Sequence, residues 1–198
     1  MDNSATSLTL LEAMRDPSNE GAWKLFDNRY RPLVVDFARR LGAHATDAEE
    51  AAQRTMAGAW EACRRGPFDR QKGRFRNWLL GIARHKLADL CDERVHQPLS
   101  LSQRSSVEAV LAHIRDPESL SGVWERQWGE HVIRLCFAQA RRRFTPRDMG
   151  IFERLTVAQE SVDQVAAAMN VSVKTVYNVK HRVLAYMRDI CRDLEGEA

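Results

Sequence analysis

No stretch of this 198-residue chain approaches the roughly 20 consecutive apolar residues that a membrane-spanning helix needs. Nor does the N-terminus show the basic-then-apolar pattern of a secretory leader. Both absences point to a cytoplasmic protein. Cysteine is scarce, and Cys63, Cys91, Cys136 and Cys191 form no CxxC pair. They read as reduced, mostly buried thiols rather than a disulfide frame or a zinc site. The six histidines (His44, His85, His96, His113, His131, His181) lack ligand spacing. There is no phosphate loop and no nucleophile–base pair. Glu49 and Glu50 are adjacent, so on a helix they point in different directions and cannot form the carboxylate cluster of a metal-dependent nuclease. No catalytic residue, metal or cofactor is expected. Strand-period alternation is also missing, which leaves an all-α fold.

The net charge is only +3, which excludes a histone-like coat, yet the charge is unevenly placed. From Arg64 to Lys86 stand Arg64, Arg65, Arg70, Lys72, Arg74, Arg76, Arg84 and Lys86 against one acid, Asp69. From Asn170 to Arg188 there is no acid at all. Two basic zones in a near-neutral chain predict two contacts with a polyanion.

The second zone has a recognisable local grammar. Ser161 and Gln164 form a capping-box pattern, and Val162, Val165, Ala166 and Met169 make one apolar face. Asn170 tolerates the left-handed conformation that ends a helix, and Ser172 caps the next one. That helix turns Val173, Val176, Val179, Val183 and Leu184 toward the first. Its outer face carries Lys174, Thr175, Tyr177, Asn178, Lys180, His181 and Arg182. This is the pattern of a helix-turn-helix whose second helix reads the DNA major groove. An ordinary helical hairpin with a solvated basic face is the plainer alternative, and the two caps, short turn and acid-free face argue against it.

Along the rest of the chain the spacing predicts a short helix over Ser7–Arg15, ended at Pro17, and a second from Ser18 through Trp23, Phe26 and Tyr30. Pro32 is expected in the first turn of a further helix that stops at Gly42. Thr46 or Asp47 caps the helix ending near Arg65, whose small alanines permit close packing. On periodicity alone its polar side is solvated surface. After Gly66–Pro67, the loop Phe68–Gly73 leads into a helix starting near Phe75. Basic residues interleaved with Phe68, Phe75 and Trp78 suit unpaired nucleic acid, since arginine and lysine hold phosphates while aromatic faces stack bases. Gln97–Pro98 and several serines mark residues 97–122 as a linker, interrupted by a short helix over Val107–Ile114. A long helix follows from Pro117 to Phe144, with Trp124 and Trp128 one turn apart. Thr145–Pro146–Arg147–Asp148 opens the next. The expected organisation is two small helical domains, 18–96 and 123–195, joined by that partly helical linker.

Three motifs, in this order, resemble bacterial RNA polymerase sigma factors of the extracytoplasmic-function group. Asp47-Ala48-Glu49-Glu50, Gln53 and Ala59-Trp60 are similar to the helix that binds the polymerase clamp. Phe75-Arg76-Asn77-Trp78-Leu79 with Ile82-Ala83-Arg84 is similar to the stretch that melts and reads the minus-ten element. Phe144-Thr145-Pro146-Arg147 with the helix-turn-helix is similar to the region that reads the minus-thirty-five element as duplex. The resemblance implies polymerase contacts at Asp47, Glu50, Gln53 and Arg54. It implies minus-ten contacts at Arg70, Lys72, Arg74, Arg76, Asn77, Arg84 and His85, with the Phe68–Asn77 loop as the base pocket. It implies minus-thirty-five contacts at Ser172, Lys174, Thr175, Tyr177, Asn178, Lys180, His181 and Arg182. Core RNA polymerase, promoter DNA and an anti-sigma protein are the implied partners. Arg54 stands where the family has an acid, Met56 where it has Phe, His85 where it has Asn, and Asn170 where it has Gly. The competing reading is a stand-alone helix-turn-helix regulator, which would bind duplex DNA tightly without polymerase; a nucleic-acid-processing enzyme would need the carboxylate cluster the sequence lacks.

Overall fold

The computed structural model describes residues 7–69, 71 and 73–195. Among them are nine α-helices and no strand: α1 (Ser7–Ala13), α2 (Glu20–Arg40), α3 (Ala45–Arg65), α4 (Phe75–Val95), α5 (Leu101–Arg115), α6 (Pro117–Arg143), α7 (Pro146–Thr156), α8 (Val162–Met169) and α9 (Val173–Glu195). The fold is all-α. The chain divides into two compact units, the first ending at His131 and the second beginning at Val132.

In the first unit, α2 is one helix of 21 residues rather than two. Pro32 lies inside it, not in a first turn. Proline forfeits one backbone hydrogen bond there, but its ring is exposed while Tyr30, Leu33, Val34 and Phe37 continue the buried stripe on either side. Packing along that stripe carries the helix through. The start of α2 is set by Asn19, whose side chain accepts from the Ala22 N–H at 3.1 Å. α3 begins earlier than the sequence predicts: His44 is the N-cap, without a side-chain cap bond, and Asp47 sits in the first turn. Its alanines 48, 51, 52 and 59 are fully buried against neighbouring helices.

Gly42 ends α2 at φ +97°, a left-handed conformation that favours glycine. A Cβ there would also meet Ala109 Cβ of α5 at 2.9 Å. Backbone strain and overlap act together, so Gly42→Ala is expected to destabilise the protein by about 1–3 kcal/mol. Urea denaturation checks this: the midpoint should fall with an unchanged slope.

The serine-rich stretch after Pro98 is more ordered than a linker. Ser100 and Gln103 form a reciprocal capping box, and α5 runs 15 residues from Leu101, well beyond the expected Val107–Ile114. Most of its serines face solvent, while Val107 and Val110 are buried and Ser106 Oγ donates to the Gly42 carbonyl at 2.7 Å. α5 is thus part of the first unit. So is the first half of α6, where Trp124 is 0% and Trp128 2% exposed. The two tryptophans do pack together, with centroids 6.2 Å apart. They do so, however, inside the first unit, whereas the sequence pattern groups them with the second domain.

The second unit is built from the remainder of α6 with α7, α8 and α9 around Ala140, Met149, Ile151, Phe152, Val165, Val176, Val179 and Val183. Cys136 and Cys191 are free and lie side by side, Sγ to Sγ 3.1 Å, and burial raises the Cys136 thiol well above its ordinary pKa. Burial likewise lifts Cys63 and Cys91 to about 11.

Candidate nucleic-acid interface

Three surfaces gather the residues singled out by sequence. The first is a cleft of about 310 Å³ lined by Pro67, Phe68, Asp69, Gly73, Arg74, Asn77 and Trp78. That volume is at the lower end of the roughly 300–1,000 Å³ typical of small-ligand pockets. Its position follows from the chain: Gly66–Pro67 stops α3, and α4 restarts at Phe75 with Arg74 as N-cap. The loop between is short, so Phe68 folds back edge-on against Trp78 (5.7 Å) and Phe75 (6.3 Å). Phe75 is buried, while Trp78 is only half-buried and offers part of its face to the cleft. Arg74 and Asn77 are exposed at the rim.

The other residues expected here are placed differently. Arg76 turns inward; its side chain is 21% exposed and its Nε lies 3.3 Å from Glu125 Oε1, an ion pair rather than a directed hydrogen bond. Arg84 is exposed and reaches the Ile114 carbonyl at 3.5 Å, while exposed His85 lies 3.5 Å from Asp89. Neither lines the cleft. Arg70 and Lys72 lie outside the described residues.

The second surface joins α3 to α4. Arg54 donates to Glu93 through both guanidinium ends (2.7 and 2.8 Å) and to Glu50 at 2.6 Å. Arg94 donates to Asp47 at 2.7 Å and to Glu50 at 2.9 Å. Asp47, Glu50 and Arg54 are therefore brought together, but as members of one charge network, with exposed Gln53 beside them. Glu93 and Arg94 complete that network and were not legible as site residues, because they stand 39 to 47 positions away from their partners. Hydrogen bonding from Arg54 holds the Glu93 carboxyl below its ordinary value. A depressed carboxylate pKa contributes stability above the unfolded glutamate value, about 4.3, and that contribution disappears as pH falls through the folded value. The melting-temperature gap between wild type and Arg54→Gln is thus expected to close between neutral pH and about pH 3.

The third surface belongs to the second unit. Ser161 and Gln164 form the capping box that starts α8, and Asn170 ends it at φ 49° in the left-handed region. Ser172 Oγ accepts from the Thr175 N–H at 3.1 Å and so caps α9. Arg147 donates to the Met169 and Asn170 carbonyls at 3.2 and 3.4 Å, fixing the turn from outside. Val176, Val179 and Val183 are buried, and Lys174, Thr175, Tyr177, Asn178, His181 and Arg182 are exposed, with Lys180 half-buried. Arg182 is tethered to Asp148 at 3.1 Å. Val173 does not turn inward as its apolar character predicts. It sits at the first position of α9, ahead of the buried stripe, and is 40% exposed beside Tyr177 at 50%. An exposed valine and tyrosine thus interrupt an otherwise polar helix face.

Among the described residues no group of three His, Cys, Asp or Glu converges as a metal site, and no helix is long and apolar enough to cross a membrane. The described residues thus combine a basic–aromatic cleft in the first unit with a capped helix-turn-helix in the second. Residues 26–95, from α2 through α4, match the family model described as Sigma-70 region 2. The chain is also similar to the ECF RNA polymerase sigma factor RpoE of Cereibacter sphaeroides, 32% identical over 95 residues that cover 48% of this chain and 51% of that protein. It thus spans about half the length of the curated relative it matches. No solved structure is significantly similar to it.

Proposed function

We propose that this protein is a sigma factor of the extracytoplasmic-function group, which binds core RNA polymerase, directs it to promoters and opens the DNA for initiation. The observation that carries the reading is the cleft between α3 and α4 inside the segment that matches region 2, where aromatic faces, Arg74 and Asn77 converge. Opening a duplex costs a few kcal/mol per unstacked base, a cost offset when the displaced base enters such a pocket. The α3–α4 charge network with Gln53 is the surface for core polymerase. The exposed face of α9 reads the upstream element, with Lys174 and Asn178 at base edges and Lys180 and Arg182 at phosphates. No group of the chain performs catalysis in this scheme, because the polymerase makes the RNA. The protein acts in the cytoplasm, where polymerase and promoters are. An anti-sigma protein is the regulatory partner this reading implies.

Transcription in vitro tests the assignment. Purified protein, core polymerase and fragmented genomic DNA should yield RNAs with discrete 5′ ends preceded by a shared pair of upstream elements. Core alone should give none. Random 5′ ends in both reactions, with tight duplex binding by the free protein, would identify a stand-alone regulator instead.

A further inference from the structure

The helices beyond residue 95 lie outside the segment that matches the region 2 family, yet part of them is built into the support of its cleft. Phe75 stands directly behind the cleft wall, 5.7 Å from Trp78 and 6.3 Å from Phe68. Behind Phe75 come Trp128 of α6 at 5.9 Å and Tyr30 of α2 at 5.0 Å. Trp128 stacks on Tyr30 (6.2 Å, 8°), and Trp124 packs edge-on against Phe37 at 5.0 Å. The rings therefore form a continuous series from the α6 tryptophans to the cleft.

Two polar contacts aim at the same place. Trp124 Nε1–H donates to the Arg76 carbonyl at 3.1 Å, and Glu125 pairs with the Arg76 guanidinium at 3.3 Å. Both act on the first turn of α4, the turn that presents Asn77 and Trp78 to the cleft. A helix serving only to fill the core would need the rings but neither polar contact. Trp128 Nε1–H, by contrast, is buried with no hydrogen-bond partner among the described residues, so this position uses the aromatic face and not the N–H.

We infer that Trp124, Glu125 and Trp128 are positioning residues for DNA opening: the first half of α6 is a working part of the minus-ten module, holding the first turn of α4 and the rings behind the cleft in the geometry that accepts an unstacked base. This rests on the sigma-factor reading above. Preorganisation of this kind matters because a pocket misplaced by about 1 Å loses much of its effect.

The test uses full-length protein with core polymerase on a promoter mapped by the transcription experiment. Permanganate reactivity of unpaired thymines reports opening, and nuclease protection of the upstream element reports duplex binding. Trp128→Leu should slow opening tenfold or more with upstream protection unchanged within about twofold, and Trp128→Phe, which keeps the ring, should restore it. Glu125→Gln, a surface change that leaves the ring series intact, should slow opening about threefold. Opening at wild-type rate in both Trp128→Leu and Glu125→Gln would overturn the inference. If Trp128→Leu fails to fold, Glu125→Gln alone decides. A wild-type chain that opens no promoter with core overturns the sigma-factor reading, and the inference with it.

Discussion

Phe75→Ala is expected to destabilise the first unit by about 3–5 kcal/mol, within the range for deleting a buried aromatic ring. Phe75 is 2% exposed and touches five aromatic rings: Phe26, Tyr30, Phe68, Trp78 and Trp128. Four different segments, α2, the α3–α4 loop, α4 itself and α6, supply those neighbours, so the space left by the ring cannot be closed by one side chain swinging in. Domains are stable by only about 5–15 kcal/mol, so the loss is a large share of the whole. Phe75→Leu retains most of the apolar volume and should cost clearly less. Equilibrium unfolding followed by tryptophan fluorescence measures both. A loss below about 1 kcal/mol for the alanine variant would mean that the ring series is not closely packed.

The second large effect concerns the exposed face of α9, which we propose reads the upstream element. Lys174→Ala and Asn178→Ala should each lower discrimination between the cognate upstream element and a single-base variant by about 1–3 kcal/mol, roughly 5- to 150-fold. Both side chains are exposed on the helix, Ser172 fixes its first turn, and Arg147 fixes the turn before it. Neither substitution removes a buried contact, so the melting temperature should stay within a degree or two. Lys180→Ala should behave differently, weakening binding evenly across sequences and reducing the salt slope by about one. Arg182 is already paired with Asp148 and offers less to phosphate, so Arg182→Ala should lose less than Lys180→Ala. Competition binding of the polymerase complex to variant promoter fragments, at two salt concentrations, separates the cases. Equal losses on all sequences for Asn178→Ala would remove it from base reading.

What could be read from the sequence was whatever is encoded locally. The capping box at Ser161 and Gln164, the left-handed Asn170, the Ser172 and Thr145 caps and the Gly42 stop each depend on neighbours within a few positions. The all-α class followed from periodicity. What could not be read was set by distant partners. Pro32 breaks isolated helices, and only the buried stripe on both sides of it explains why α2 continues. The serines of α5 look like a linker until Gly42 is present to accept from Ser106, with Val107 and Val110 buried beside it. The apolar character of Val173 says nothing of its place one step ahead of the buried stripe. Asp47 and Glu50 were visible as a motif, but not their occupation by Arg94 and Arg54. Trp124 and Trp128 were legible as a buried pair, whereas the unit they serve is decided by Tyr30, Phe37 and Phe75, far upstream in sequence.

Capture of core RNA polymerase by the tagged, full-length protein tests the central claim most directly, with a Glu50→Lys, Gln53→Glu double variant beside it. The two positions share the α3 surface, and neither is part of the buried core. Retention of core by the wild type, clearly weakened in the double variant, is the predicted result and places polymerase on α3. No retention by the wild type, together with tight binding of duplex DNA by the protein alone, would contradict it and make the helix-turn-helix the working part of a stand-alone regulator.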